Sequence, residues 1–151
     1  MYLNCKTYFS FRWGTYSTLG LVKQAVDAGA TALALTNINS TCDAWDFVLF
    51  CRQVNIKPIL GAEIRNGDKL LYILIAANNR GFTWINHFIS KHLHADQRFP
   101  EQSGADSFFL NEQDGYVIYP FNTKQPSDLF PNEYIGIQPI EVNKLFGVNA
   151  A

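Results

Sequence analysis

Residues 31–35, Thr-Ala-Leu-Ala-Leu, form an unbroken run of small and medium apolar side chains with no polar alternation. A strand of this kind has no solvent face, so it has to be covered on both sides, as strands of a parallel sheet flanked by helices are. The segments around it fit that demand. Residues 1–5 read as a short strand, and residues 12–17 as a Gly-containing loop. Ser17 then caps a helix running to about Ala28, with Gly29 as its stop. Leu19, Val22, Ala25 and Val26 recur at three- and four-residue spacing and predict the buried face of that helix.

The same unit then repeats. Residues 37–41 are a polar loop, and Ser40 or Thr41 is the expected cap of a second helix carrying Trp45, Val48, Leu49 and Val54. Residues 57–64 read as a third strand. Asn66-Gly67 has the composition of a two-residue hairpin turn, and residues 70–76 form the returning strand. Phe82, Ile85, Phe88 and Ile89 mark a further helix. Residues 93–114 lose periodicity and read as a loop or insertion, before short strands near 116–119 and 134–137. The order predicts a single α/β domain or domain fragment over residues 1–151, a layered or barrel sheet, and neither a helical bundle nor an all-β fold.

Composition narrows the function classes. Twelve basic and thirteen acidic residues leave a formal charge of −1, which argues against tight, sequence-independent nucleic-acid binding, since that mode relies on Lys and Arg neutralising phosphates. Cys5, Cys42 and Cys51 are odd in number and contain no CxxC pair, so neither a disulfide framework nor a zinc ribbon is expected and a reducing cytoplasm is the simplest setting. No signal-like N-terminus or membrane-length apolar run is read.

Four segments carry a family resemblance. They are residues 3–10 (Leu-Asn-Cys-Lys-Thr-Tyr-Phe-Ser), 32–39 (Ala-Leu-Ala-Leu-Thr-Asn-Ile-Asn), 56–63 (Ile-Lys-Pro-Ile-Leu-Gly-Ala-Glu) and 74–82 (Leu-Ile-Ala-Ala-Asn-Asn-Arg-Gly-Phe). In that order and spacing they resemble the polymerase-type PHP family, the N-terminal domain of bacterial replicative polymerase III alpha subunits, over residues 1–92. The resemblance implies a distorted (β/α) barrel whose strand ends gather His, Asp and Glu around divalent metals. An α/β barrel takes roughly 200 residues or more, so only the N-terminal part of the barrel is expected here.

Carried over position by position, the resemblance implies a degenerate site. The family's His-x-His falls on Asn4 and Lys6, its Asp-His on Asn37 and Ile38, and a further His on Leu71; only its Glu persists, as Glu63. One carboxylate does not hold a catalytic cation, which takes three or more converging protein ligands. No metal and no catalytic residue is therefore expected. Two readings of Lys6 stand at this point: its ammonium neutralises Glu63 where a metal would otherwise sit, or it points to solvent.

Other candidates read more simply as structure. His87, His92 and His94 are the three histidines, and His92 and His94 do not face each other on a helix and suit a helix C-terminus. Asp43 and Asp46 suit a first helical turn. Cys5 reads as buried packing. Tyr8, Phe9, Phe11, Trp13 and Tyr16 gather on one loop and suit partner packing better than base stacking. The expected role is a non-catalytic interaction module that packs on the remainder of a polymerase chain and on replication subunits. The rival readings are an active phosphoesterase or 3′–5′ exonuclease using Zn, Mn or Mg, and a small-molecule-binding α/β domain.

Overall fold

A computed structural model describes residues 1–102 and 111–147. Its elements, in chain order, are β1 (Tyr2–Cys5), α1 (Thr18–Asp27), β2 (Ala32–Leu35), α2 (Ala44–Gln53), β3 (Lys57–Asn66), β4 (Lys69–Ala76), α3 (Asn79–His94), β5 (Gly115–Pro120) and β6 (Glu133–Gly136). Short 3-10 turns cover Pro126–Asp128 and Pro139–Gly147. The strands form a six-stranded sheet in sequential order. β1, β2 and β3 are parallel, β4 is antiparallel to both β3 and β5, and β6 runs parallel to β5. Leu3 and Asn4 of β1 and Gly136 of β6 line one cavity. The two edges therefore curl toward each other, giving a half-barrel.

β3 is the pivot of this sheet. Its first four residues pair with β2, and from Gly61 onward it pairs with β4. Gly61 permits the change of partner, because a Cβ there would lie 2.1 Å from the Leu74 carbonyl oxygen. Two apolar clusters cover the outer face. Val22, Ala25, Leu33, Leu35, Phe47, Cys51 and Ile56 pack beneath α1 and α2. Ile64, Leu74, Ile85, Phe88, Ile89, Phe99 and Val117 pack beneath α3. The inner face carries Ala34, Ile73 and Ile75, with Ile59 and Ile118 against them.

Ser17 accepts a hydrogen bond from the Gly20 N–H, and Gly29 turns the chain at φ +65°, so α1 starts and stops as its sequence predicts. Its buried face differs in part: Thr18 joins Val22 and Ala25, while Leu19 and Val26 are exposed. α2 departs further. Its N-cap is Asp43, not Ser40 or Thr41. Its buried residues are Phe47 and Cys51, whereas Trp45 is 76% exposed and Leu49 and Val54 also face water. The hairpin loop is Gly67-Asp68, one residue beyond expectation, with Asn66 paired to Lys69. Only Gly67 of the two has positive φ, which matches a type II′ turn.

The aperiodic stretch 93–114 is shorter than expected, because α3 runs to His94 and Phe99 is buried beneath it. Asn66 holds Phe99 through paired side-chain-to-backbone bonds of 2.8 and 2.9 Å. Residues 103–110 lie outside the described residues. Cys5, expected in the core, is only half-buried because β1 is a sheet edge.

Candidate functional site: a carboxylate between two cations

Glu63 lies on the inner face of β3, directly opposite Ile73, and is 1% exposed. The loop after β2 closes its other flank: the Glu63 N–H donates to the Asn37 carbonyl at 3.1 Å, and the Asn39 N–H donates to the Glu63 carbonyl at 2.8 Å. β1 ends beside the same point and delivers Asn4 and Lys6. Lys6 Nζ lies 2.7 Å from Glu63 Oε2, and Asn4 Nδ2 donates to that oxygen at 2.9 Å. The sequence left Lys6 between a partner and solvent; the geometry pairs it.

Sequence reasoning missed the second cation. Arg65 Nε contacts Glu63 Oε1 at 2.5 Å and is almost buried. The signal was available, since residues i and i+2 of a strand share a face. Arg65 is itself fixed: one guanidinium N–H donates to the Asp68 carbonyl at 2.7 Å, and the Trp13 ring stacks 4.0 Å from its central carbon. Asn39 completes the support by exchanging two bonds with the Arg65 backbone, at 2.8 and 2.9 Å.

The Asn4 amide is committed at both ends. Its Oδ1 accepts from Lys6 Nζ at 2.9 Å and from Thr36 Oγ1 at 2.8 Å, while its Nδ2 serves Glu63. Asn37 is committed too: its Oδ1 accepts from the Thr7 N–H, the Thr7 hydroxyl and the Ser10 hydroxyl at 3.0, 3.2 and 2.8 Å. Its Nδ2 donates to the Cys42 carbonyl at 3.2 Å, a bond that a carboxylate at this position cannot make. Ile38 contributes only backbone, bridging Glu63 and donating to Ser10 Oγ. Leu71 is apart from this group, in the apolar cluster under α3.

Burial works against the Glu63 charge, but the hydrogen bonds from Lys6, Arg65 and Asn4, with the Lys6 charge, more than offset it and hold the carboxyl below its ordinary value. A carboxylate so held is a poor general base. It is also a poor metal ligand. The family implies divalent ions at this place, yet a divalent ion approaching Glu63 meets an ammonium and a guanidinium already on its two oxygens. Among the described residues no group of three or more His, Cys, Asp or Glu side chains is placed to ligate one. The residues present do not fit a metal.

The remaining candidates behave as structure. His92 Nδ1 lies 2.8 Å from the Phe88 carbonyl, and its ring stacks on Phe99, so it closes the end of α3. Burial pushes the Cys51 thiol up to about 11. The Lys124 ammonium and Glu133 carboxylate form a buried pair at 2.6 Å, and Tyr119 and the Phe130 N–H also donate to that carboxylate. This pair ties the crossover between β5 and β6 and lies outside the Glu63 group.

Compared with known families, residues 3–118 match the PHP domain. The chain belongs to the PHP domain family. Within it, the chain is 37% identical over 89 residues to the DNA polymerase III subunit alpha of Mycoplasma genitalium, covering 56% of this chain and 10% of that one. It is 33% identical over 97 residues to the corresponding Escherichia coli K12 subunit, covering 60% of this chain and 8% of that protein. The chain thus spans about a tenth or less of the length of these relatives. A Bifidobacterium adolescentis crystal structure, described provisionally as a metal-dependent phosphoesterase, aligns with a TM-score of 0.47 at 21% identity, covering 62% of this chain and 33% of that one. The family match over residues 3–118 makes the half-barrel part of a PHP fold. Among the described residues no helix is long and apolar enough to cross a membrane.

Proposed function

We propose that this PHP segment is metal-free and non-catalytic, and serves as a structural and interaction module of a cytoplasmic bacterial chain of the polymerase III alpha type. The parent chain would carry out templated nucleotide addition in DNA replication through parts beyond this segment. The remainder of that chain and other replication subunits are its partners. One observation supports the reading above others: Glu63, the one metal-ligand side chain left at the aligned positions, is held by Lys6 and Arg65. A lysine and an arginine do for its charge what divalent cations would do, without supplying an open coordination position for water.

The test is a hydrolysis assay on the purified chain, using a 3′-labelled single-stranded oligonucleotide and a chromogenic phosphate ester, each with zinc, manganese or magnesium. Background rates in every arm are expected. Metal-dependent turnover that disappears in Glu63→Gln would overturn the proposal in favour of an active phosphoesterase or 3′–5′ exonuclease.

A further inference from the structure

The loop between β1 and α1 inverts the ordinary sorting of side chains. Its polar residues Thr7 and Ser10 are buried, while Tyr8, Phe9, Phe11, Trp13 and Tyr16 are exposed, Phe11 to 86%. Folding alone gives no reason to turn rings outward, because each leaves a large apolar area in water. The loop is also pre-organised. Thr7 and Ser10 are tied to the buried Asn37 amide. The N–H groups of Trp13 and Gly14 both donate to the Ser10 carbonyl at 2.9 Å, and the Tyr8 N–H donates to the Tyr16 carbonyl at 2.9 Å. Gly14 passes so near Thr7 that a Cβ would lie 1.9 Å from its carbonyl oxygen.

Charge distinguishes what such a surface takes. Asp27 is the first acidic residue of the chain, so no carboxylate lies in the sequence of β1, the loop or most of α1. Arg12 is exposed on the loop itself, at φ +73°. Lys6 and Arg65 stand at its base, Arg65 stacked on Trp13, with Glu63 as their shared counter-charge. Arg12 thus adds an exposed positive charge beside five exposed rings. Rings that stack on bases, with cations for the phosphates between them, are the two components of single-strand binding.

We propose that this loop is a single-stranded nucleic-acid contact, in which Phe11 and Trp13 stack on unpaired bases and Arg12 meets the backbone. It accords with the overall charge of −1, because stacking rather than phosphate neutralisation supplies the affinity. With Arg12 as the phosphate contact, the logarithmic salt slope is shallow, about −0.7. The proposal is independent of whether Glu63 binds metal.

The experiment is fluorescence anisotropy of a labelled thymidine oligonucleotide titrated with the 151-residue chain in chelator, beside an abasic oligomer of equal length and a duplex. Binding to the thymidine oligomer, with the abasic and duplex forms much weaker, is expected. Phe11→Ala, at a position too exposed to affect folding, and Trp13→Ala should each lower affinity roughly 5- to 100-fold, and Arg12→Ala should flatten the salt slope. Equal binding of the abasic oligomer, or unchanged affinity in Phe11→Ala, overturns the proposal. So does absence of binding at low salt; if the same loop variants then disrupt association with a protein partner, the rings are a protein-docking surface instead. Because chelator is present throughout, none of these outcomes bears on the metal-free reading.

Discussion

Replacing Glu63 by Gln removes one negative charge and leaves two cations facing a neutral amide. The side chains of Lys6 and Arg65 are only 13% and 9% exposed, and that of Glu63 is 1% exposed, so water does little to replace the lost partner. Removing one member of a buried ion pair costs about 3–5 kcal/mol. Lys6 retains some solvent, which places Glu63→Gln near the lower end, about 3 kcal/mol. For a chain of this size that is a fall of about 6–12 °C in melting temperature. The acid limb changes as well. The folded-state pKa of Glu63 lies below its ordinary 4.5. Its contribution is therefore fully present above that value and is lost as pH falls through the depressed folded pKa. Urea unfolding followed by tryptophan fluorescence across acidic pH should show wild type losing this increment, while the variant, already lacking it, shows a shallower slope. Adding Lys6→Met to Glu63→Gln should recover part of the loss, with a coupling of about 1–3 kcal/mol. A Glu63→Gln protein as stable as wild type, with the same acid slope, would refute the argument that the two cations are organised by this carboxylate.

Asn37→Asp should destabilise by about 1–3 kcal/mol, since its carboxylate would face the Cys42 carbonyl now accepting from Nδ2. Chemical denaturation measures the loss, and faster amide exchange in residues 8–16 should accompany it. Gly81→Ala should cost about 1–3 kcal/mol or more, because its Cβ would stand 1.8 Å from the Asp114 carbonyl oxygen; thermal melting reads this, and a neutral result would mean that α3 can shift away from β5. A thiol reagent should label exposed Cys42 quickly and leave Cys51, buried with its thiol pushed up to about 11, untouched until unfolding. Mass mapping of the labelled peptides decides between them.

The parts of the fold that were legible in the sequence are those where one local rule acts alone. The run 31–35 demanded cover on both faces, and β2 is buried at every position. Ser17 and Gly29 marked helix ends because a cap hydroxyl and a left-handed turn are local requirements. α2 defeated the pattern because it is apolar on two faces: Phe47 and Cys51 face the core, while Trp45 and Leu49 offer an equally good period facing water. Leu71, placed by the resemblance alone, lies in the apolar cluster under α3. Ile64 pairs with Tyr72 but Arg65 pairs with Leu70, so a bulge lies between them, which spacing in the sequence does not reveal.

Within the site, the changed residues at Asn4, Lys6, Asn37 and Ile38 were visible, and the Lys6–Glu63 contact was one of two open readings. Arg65 was not seen, because the third strand was ended at residue 64 and the turn placed at Asn66-Gly67, whereas β3 runs to Asn66 and carries Arg65 as the next inward position after Glu63. The role of Asn37 was equally hidden. Its value lies in an amide that accepts from the loop and donates to the Cys42 carbonyl, a tertiary arrangement with no trace in spacing.

The most direct measurement of the central claim is metal content and metal-dependent melting of the chelator-treated protein, with zinc, manganese and magnesium added separately. A metal-free site predicts no stoichiometric metal and no rise in melting temperature, since a ligand stabilises only what binds it. One or more tightly bound ions per chain, with a raised melting temperature that Glu63→Gln abolishes, would contradict it.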